Sequence, residues 1–202
     1  MQLLHQTISK LKGFKEWFDT LSLHESQLVL GLSGSVKHLA ESCAFEKLDK
    51  QLVIVTPTLL QATQTYEELS EWYDDEVVHL FPVEESLAAD FSVVSPDVVS
   101  QRIRTLDFLS RGEKGIVIVP LSGIQKLLVP AAVWKKSSIE LAMGSEIESM
   151  DAFVEQLVEL GYRRENMVAT PGEFALRGSI VDIYPLDQEY PLRLDFFDTE
   201  VD

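Results

Sequence analysis

The sequence predicts an α/β fold in two parts. A parallel sheet covered by helices occupies residues 1–130, and a small α+β domain with an antiparallel sheet occupies residues 131–202. Three observations predict it. Short apolar runs alternate with helical periods through the first half, which is the layout of a parallel sheet. Those runs are almost continuously apolar, as strands buried on both faces are. Beyond Pro130 the order changes to one helix followed by neighbouring strands, which suits an antiparallel sheet with its helix on one side.

The elements follow in order. Gln27 to Gly31, Gln51 to Thr56, Val77 to Phe81 and Gly115 to Pro120 are the β-rich runs. Ser35 to Phe45 and Thr58 to Trp72 read as helices between the first three. In the second of these Leu59, Ala62, Tyr66 and Leu69 recur at three- and four-residue steps. Thr56-Pro57-Thr58 stops the strand and caps that helix. Ser95-Pro96 opens a third helix, with serine as cap and proline at the first helical position; Val99, Ile103 and Leu106 mark its apolar stripe. Pro130 breaks the chain, and the boundary falls near Leu128 to Trp134. Ser138 to Met143 reads as a strand. Ser149 caps a helix whose Met150, Phe153, Val154, Leu157 and Val158 share one face, closed by Gly161. Strands follow at Gly178 to Tyr184 and Pro191 to Phe197.

Composition excludes several classes. The 202 residues are 46% apolar and 25% charged, the values of ordinary globular protein. No apolar stretch reaches the ~18 residues of a membrane span. The N-terminus, MQLLHQTISKLKGFKEWF, is amphipathic but lacks the continuous apolar core and cleavage site of a signal peptide. One cysteine, Cys43, cannot form an internal disulfide and fits a reducing, cytoplasmic compartment. His5, His24, His38 and His79 are scattered, with no metal-ligand spacing. Carboxylate runs such as Glu67-Glu68, Asp74-Asp75-Glu76 and Glu84-Glu85 read as solvated faces and turns. Seventeen basic residues against 33 acidic ones give a net charge of −16, which repels a phosphate backbone. A protein partner suits such a surface better than DNA.

"LVLGLSGSVKHLAES", residues 28–42, has the layout of a phosphate-binding loop. A working loop reads G-x-x-x-x-G-K-[ST]: glycines let backbone N–H groups close round the phosphates, the lysine reaches the outer phosphates, and the hydroxyl holds Mg²⁺. Gly31 and Lys37 fit, and Gly34 lies between them. Val36 stands at the second glycine, where a β-branched residue tolerates positive φ poorly. His38 stands at the hydroxyl. The loop reads as a βα turn without nucleotide binding.

The final strand has an unusual polar face. In Leu192 to Phe197 alternate residues share a side. Leu192, Leu194 and Phe196 form an ordinary core face, and Arg193, Asp195 and Phe197 form the other. Arg177 lies on the preceding strand-like segment. Arginine beside an aromatic is the composition of interface hot spots. Two readings stand: an interface, or Phe197 packed under a loop with Arg193 paired to Asp195 or another acid.

ATPGEFALRGSIVDIYP together with YPLRLDFFDTEVD closely resembles the N-terminal region of the bacterial transcription-repair coupling factors (the Mfd family). It is similar, more distantly, to the excision-repair helicase UvrB. LVLGLSGSVKHL, SPDVVSQRIRTLDFL and KGIVIVPLSGI match in the same order, so the resemblance covers about residues 25–202. It implies a degenerate, helicase-like first domain similar to UvrB domain 1a, and a second domain that docks onto UvrA. Carried over by motif, Arg177, Arg193 and Phe197 are the implied UvrA-binding residues, with Asp195 and Arg164 at secondary positions. Ala175 stands where UvrB has a further basic residue. UvrB also inserts a tyrosine-rich hairpin that probes DNA; here VEESLAADFSVV is too short and has no tyrosine. The resemblance therefore implies a protein-binding module without ATPase activity and without a cofactor of its own. The alternative is a fragment of an ATP-dependent UvrB-type helicase. Coupling factors are longer, with an RNA polymerase-binding domain and a DNA translocase motor using ATP and Mg²⁺, so the chain reads as an excised fragment. Contact with other domains of its own parent is a further implied partner, and a membrane is not.

Overall fold

A computed structural model describes residues 7–8, 12–21, 26–83, 95–125, 127–134, 137–188 and 190–202. His5, His24, Glu84-Glu85, residues 84–94 of the short insertion and part of the amphipathic N-terminus lie outside the described residues. The elements in chain order are α1 (Lys12–Thr20), α2 (Ser35–Leu48), β1 (Leu52–Thr56), α3 (Leu59–Ser70), β2 (Val78–Leu80), α4 (Pro96–Arg111), β3 (Ile116–Pro120), α5 (Leu121–Ile124), α6 (Ala131–Trp134), α7 (Met150–Glu159), β4 (Arg163–Arg164), β5 (Glu173–Arg177), β6 (Ile180–Ile183), β7 (Leu192–Phe197) and β8 (Glu200–Val201). The chain divides into two compact units, Met1–Leu87 with Arg111–Leu127, and Ala88–Ser110 with Leu128–Asp202. Most of α4 thus groups with the second unit, whereas the sequence reading counted it with the first.

The first unit is built on a parallel three-stranded sheet in the order β1-β3-β2. Its central strand β3 is buried at every position, as its unbroken Ile-Val-Ile-Val run requires. Helix α3 begins where Thr58 accepts a hydrogen bond from the Gln61 N–H, and it buries Ala62, Thr65 and Leu69. Ala62 and Leu69 join Ile54, Val78, Leu80, Ile116 and Ile118 in one core with Phe45 of α2. Cys43 is buried in α2, and burial, followed by the nearby Glu46 charge, pushes its thiol pKa up.

One expected strand of this unit is absent. Gln27 to Gly31 forms no ladder, and Leu28 and Leu30 are 83% and 80% exposed. Apolar β-rich composition gives a strand only where a neighbour pairs with its N–H and C=O groups. Here the ladders run from β3 to β1 and β2. Strand β1 is also covered on one side only, with Ile54 and Thr56 buried and Val53 and Val55 about half exposed.

The second unit has a five-stranded sheet in the order β4-β5-β6-β7-β8. Its core joins Phe153 and Leu157 of α7 to Phe174, Val181, Ile183, Phe196 and Val201. Ser149 caps α7 by accepting the Ala152 N–H at 3.1 Å. Val158, expected on the buried face, is exposed, because the sheet meets only the Phe153 and Leu157 side of the helix. In α4 the deepest positions are Ser100, Thr105 and Phe108, while Val99, Ile103 and Leu106 are half-buried. The Ser100 hydroxyl donates to the Leu186 carbonyl and the Thr105 hydroxyl to Gln101, which lets both polar residues be buried.

Three further expectations change in this unit. Ser138 to Met143 is not a strand; Ile139 and Leu141 pack inward, but pairing with the β8 region begins later, from Gly144 to Val201 and Ile147 to Thr199. The strand expected over Gly178 to Tyr184 is present but shorter, as β6. Gly178 and Ser179 form the two-residue loop of a hairpin, with Arg177 opposite Ile180 and Gly178 at φ +66°. The sheet is mixed rather than wholly antiparallel, because β4 pairs with β5 in parallel across the loop at 165–172.

Candidate functional site

Two places carry the sequence-derived candidates. The first is the loop before α2. Gly31 and Gly34 keep positive φ, at +86° and +56°. Gly34 precedes α2, and its carbonyl accepts the Lys37 N–H at 3.0 Å. The Lys37 ammonium lies 3.6 Å from Glu41 Oε1, one turn along the helix. His38 is turned inward and 8% exposed. Its Nδ1 is 2.9 Å from Glu41 Oε2, and its Nε2 is 3.8 Å from Glu68 Oε2. Glu41 therefore engages both side chains, and Val36 is half exposed. The group standing where a P-loop has its Mg²⁺ hydroxyl is a buried imidazole between two carboxylates. Among the described residues, no group of three or more His, Cys, Asp or Glu is arranged to hold a metal ion. Among them too, no helix is long and apolar enough to cross a membrane.

The second place is the face of the β4–β8 sheet opposite its core. Directly paired residues share a face, and alternate residues along a strand return to it. The register sets Ala175, Asp182 and Arg193 side by side on one rung, and Arg177, Ile180 and Asp195 on the next. Phe197 and Glu200 continue the same face. The structure thus brings Arg177, Arg193, Asp195 and Phe197 together. It places Arg164 elsewhere: Arg164 is in register with the core residue Phe174, so it falls on the other side of the sheet, exposed at the margin.

Each arginine is held by this chain. The Arg193 guanidinium donates through Nε to Asp182 Oδ1 at 2.6 Å and through Nη2 to Asp182 Oδ2 at 3.0 Å. That hydrogen bond, aided by the charges of Arg193 and Arg177 and opposed by burial, holds the Asp182 carboxyl below its usual pKa. Arg177 Nη2 donates to the Asn166 carbonyl at 2.9 Å. Asp195 Oδ1 lies 3.4 Å from the Ser179 hydroxyl. Phe197 is 82% exposed, whereas Phe196 beside it is 3% exposed. Of the two readings left open by the sequence, packing of Phe197 under a loop is excluded, while Arg193 does pair with an acid.

Sequence reasoning missed three participants. Asp182 lies within the apolar alternation of β6, and only its register with β7 reveals that it faces Arg193. Arg163 is on the polar face, with Nη2 3.5 Å from Glu173 Oε1. Glu173 accepts the Ala169 and Thr170 N–H groups at 2.9 and 3.0 Å, which fixes the loop that carries Asn166. Those backbone bonds, first Ala169 and then Thr170, depress the Glu173 pKa. The motif P-G-E contained the clue, since a glutamate straight after a turn can cap that turn's N–H groups.

The chain is similar to known proteins over most of its length. Residues 139–202 match the UvrB interaction domain family. A transcription-repair-coupling factor of Staphylococcus epidermidis RP62A is 43% identical over 195 residues, 96% of this chain and 16% of its own length. That of Bacillus subtilis 168 is 40% identical over 183 residues, 89% of this chain and 16% of its own. A third, from Staphylococcus haemolyticus JCSC1435, is 40% identical over 200 residues, 99% of this chain and 17% of its own. The chain spans about a sixth of the length of these relatives.

Proposed function

We propose a function that proceeds from one premise: residues 139–202 belong to the UvrB interaction domain family, in a chain homologous to about a sixth of the transcription-repair-coupling factors. On this reading the chain is a protein-binding module that recruits the excision-repair subunit UvrA. Arg177, Arg193 and Phe197 form the centre of the contact, Asp195 sits beside them, and Arg164 is at most a marginal member. The observation that carries the proposal is the exposure of Phe197 on the same face as Arg193. A large aromatic ring left in water on the same strand face as a guanidinium costs the free chain burial energy and suits a partner that covers it.

The first unit is proposed as a degenerate UvrB-like, helicase-related domain that holds neither ATP nor Mg²⁺. Lys37 and His38 being engaged with Glu41 supports this. DNA, RNA polymerase and the ATP-driven motor belong, on this proposal, to other parts of the longer protein, which works in the cytoplasm. The net charge of −16 supports leaving DNA to those parts. Titration of purified UvrA against the chain tests the proposal. Binding should be measurable, and Arg177→Ala, Arg193→Ala and Phe197→Ala should each weaken it by about 1–4 kcal/mol. Equal affinity of all three with the parent would remove the site assignment.

A further inference from the structure

Among the described residues Asp182 is the one acid paired to an arginine of the candidate face by two hydrogen bonds, and its side chain is 18% exposed against 63% for Arg193. The pairing is side-on. It uses Nε and one hydrogen of Nη2, and it leaves Nη1 and the outer hydrogen of Nη2 for another acceptor. The third residue of this rung is Ala175, too small to compete for the guanidinium. Across the next rung the Arg177 charge also bears on Asp182. An arginine on a strand surface would otherwise sample many rotamers, and holding its fork in advance reduces what binding must order.

We infer that Asp182 is a positioning residue for the partner face: it holds the Arg193 guanidinium against the sheet so that its free edge meets a carboxylate of the partner. This rests on the function proposed above and deepens it. A plain charge argument has the opposite sign. An acid on a surface that binds carboxylates repels them, so removing it should tighten binding. Positioning requires that removing it weaken binding.

The test is a calorimetric titration of purified UvrA with the 202-residue chain and its variants, beside a melting curve for each. Asp182→Asn should lower affinity about tenfold, the loss that marks an ordinary hot spot. The double variant with Arg193→Ala should bind no more weakly than Arg193→Ala alone, because Asp182 acts only through that side chain. Arg193→Lys keeps the charge but loses the fork, so it should lose affinity as Arg193→Ala does. Asp182→Asn binding as tightly as the parent, or more tightly, overturns the inference. So does a double variant that loses both effects in full, or an Arg193→Lys variant with parental affinity. Should Asp182→Asn unfold, the lysine variant decides alone. Parental affinity in both Arg193→Ala and Phe197→Ala would remove the site assignment on which the inference rests, and a parent chain that does not bind UvrA would overturn the functional reading itself. Failure of Asp182→Asn alone removes only the positioning role.

Discussion

Phe196 and Phe197 are neighbours in β7 and lie in opposite environments, one 3% exposed and packed 5.7 Å from the Phe153 ring, the other 82% exposed. The pleat accounts for this, since successive side chains leave a strand on opposite sides. Phe196→Ala should therefore remove about 3–5 kcal/mol of stability, as deletion of a core ring does. Phe197→Ala should change stability by no more than about 0.5 kcal/mol, in the range of surface substitutions. Thermal melts followed by circular dichroism compare the two. A Phe197→Ala variant that melts as low as Phe196→Ala would show that the ring supports the fold.

The loop before α2 makes a separate prediction. A ligand that binds only the folded state raises its melting temperature. With Lys37 and His38 both drawn to Glu41, millimolar Mg·ATP should leave the melting temperature unchanged. An upward shift that disappears in Lys37→Ala would show that the loop holds nucleotide after all.

The two candidate places differ in how far the sequence revealed them. The parallel sheet was legible because β1, β2 and β3 are apolar runs separated by capped helices, and Thr58 and Ser149 cap where their side chains suggest. Gln27 to Gly31 was misjudged, because composition does not disclose whether a neighbour will pair with a run. The polar face was half legible. Alternation in β7 separated Arg193 and Phe197 from Phe196, a local fact of spacing. The Asp182 pairing is a fact of β6–β7 register and the placing of Arg164 a fact of β4–β5 register, and alternation within one strand discloses neither.

Glu173 gives a pH prediction. Its carboxylate accepts backbone N–H groups in the folded chain, which lowers its pKa there relative to the unfolded chain. A depressed folded pKa adds stability that is complete above the unfolded value of about 4.3 and is lost as pH falls through the folded value. Asp182 acts in the same direction through Arg193. Between about pH 5 and pH 3 the parent's melting temperature should fall more steeply than that of Glu173→Gln. The Glu173→Gln/Asp182→Asn pair should be flatter still. Parallel curves for all three would assign acid sensitivity to other carboxylates.

Gly123 sets a contest between helix propensity and packing. It lies in the short helix α5, where alanine would be favoured over glycine by about 1 kcal/mol on backbone grounds. A Cβ at this position, however, would come to 2.8 Å from a Val119 methyl and 2.9 Å from a Val83 methyl, with the Phe81 ring at 3.5 Å. Both valines are branched at Cβ and restricted at χ1, so neither methyl can swing aside without displacing its strand or the segment after it. Val119 is itself buried on the central strand and Val83 is 3% exposed, so both methyls belong to the packed interior. Forcing an extra methyl into a filled core costs about 1–3 kcal/mol. Packing therefore outweighs propensity, and Gly123→Ala should lower the melting temperature although it replaces a poor helix former with the best one. Urea titration should show a lower midpoint with an unchanged slope, the mark of lost stability without a change in the surface exposed on unfolding. A midpoint at or above the parent's would mean that β3 and the segment after β2 yield enough to admit the methyl.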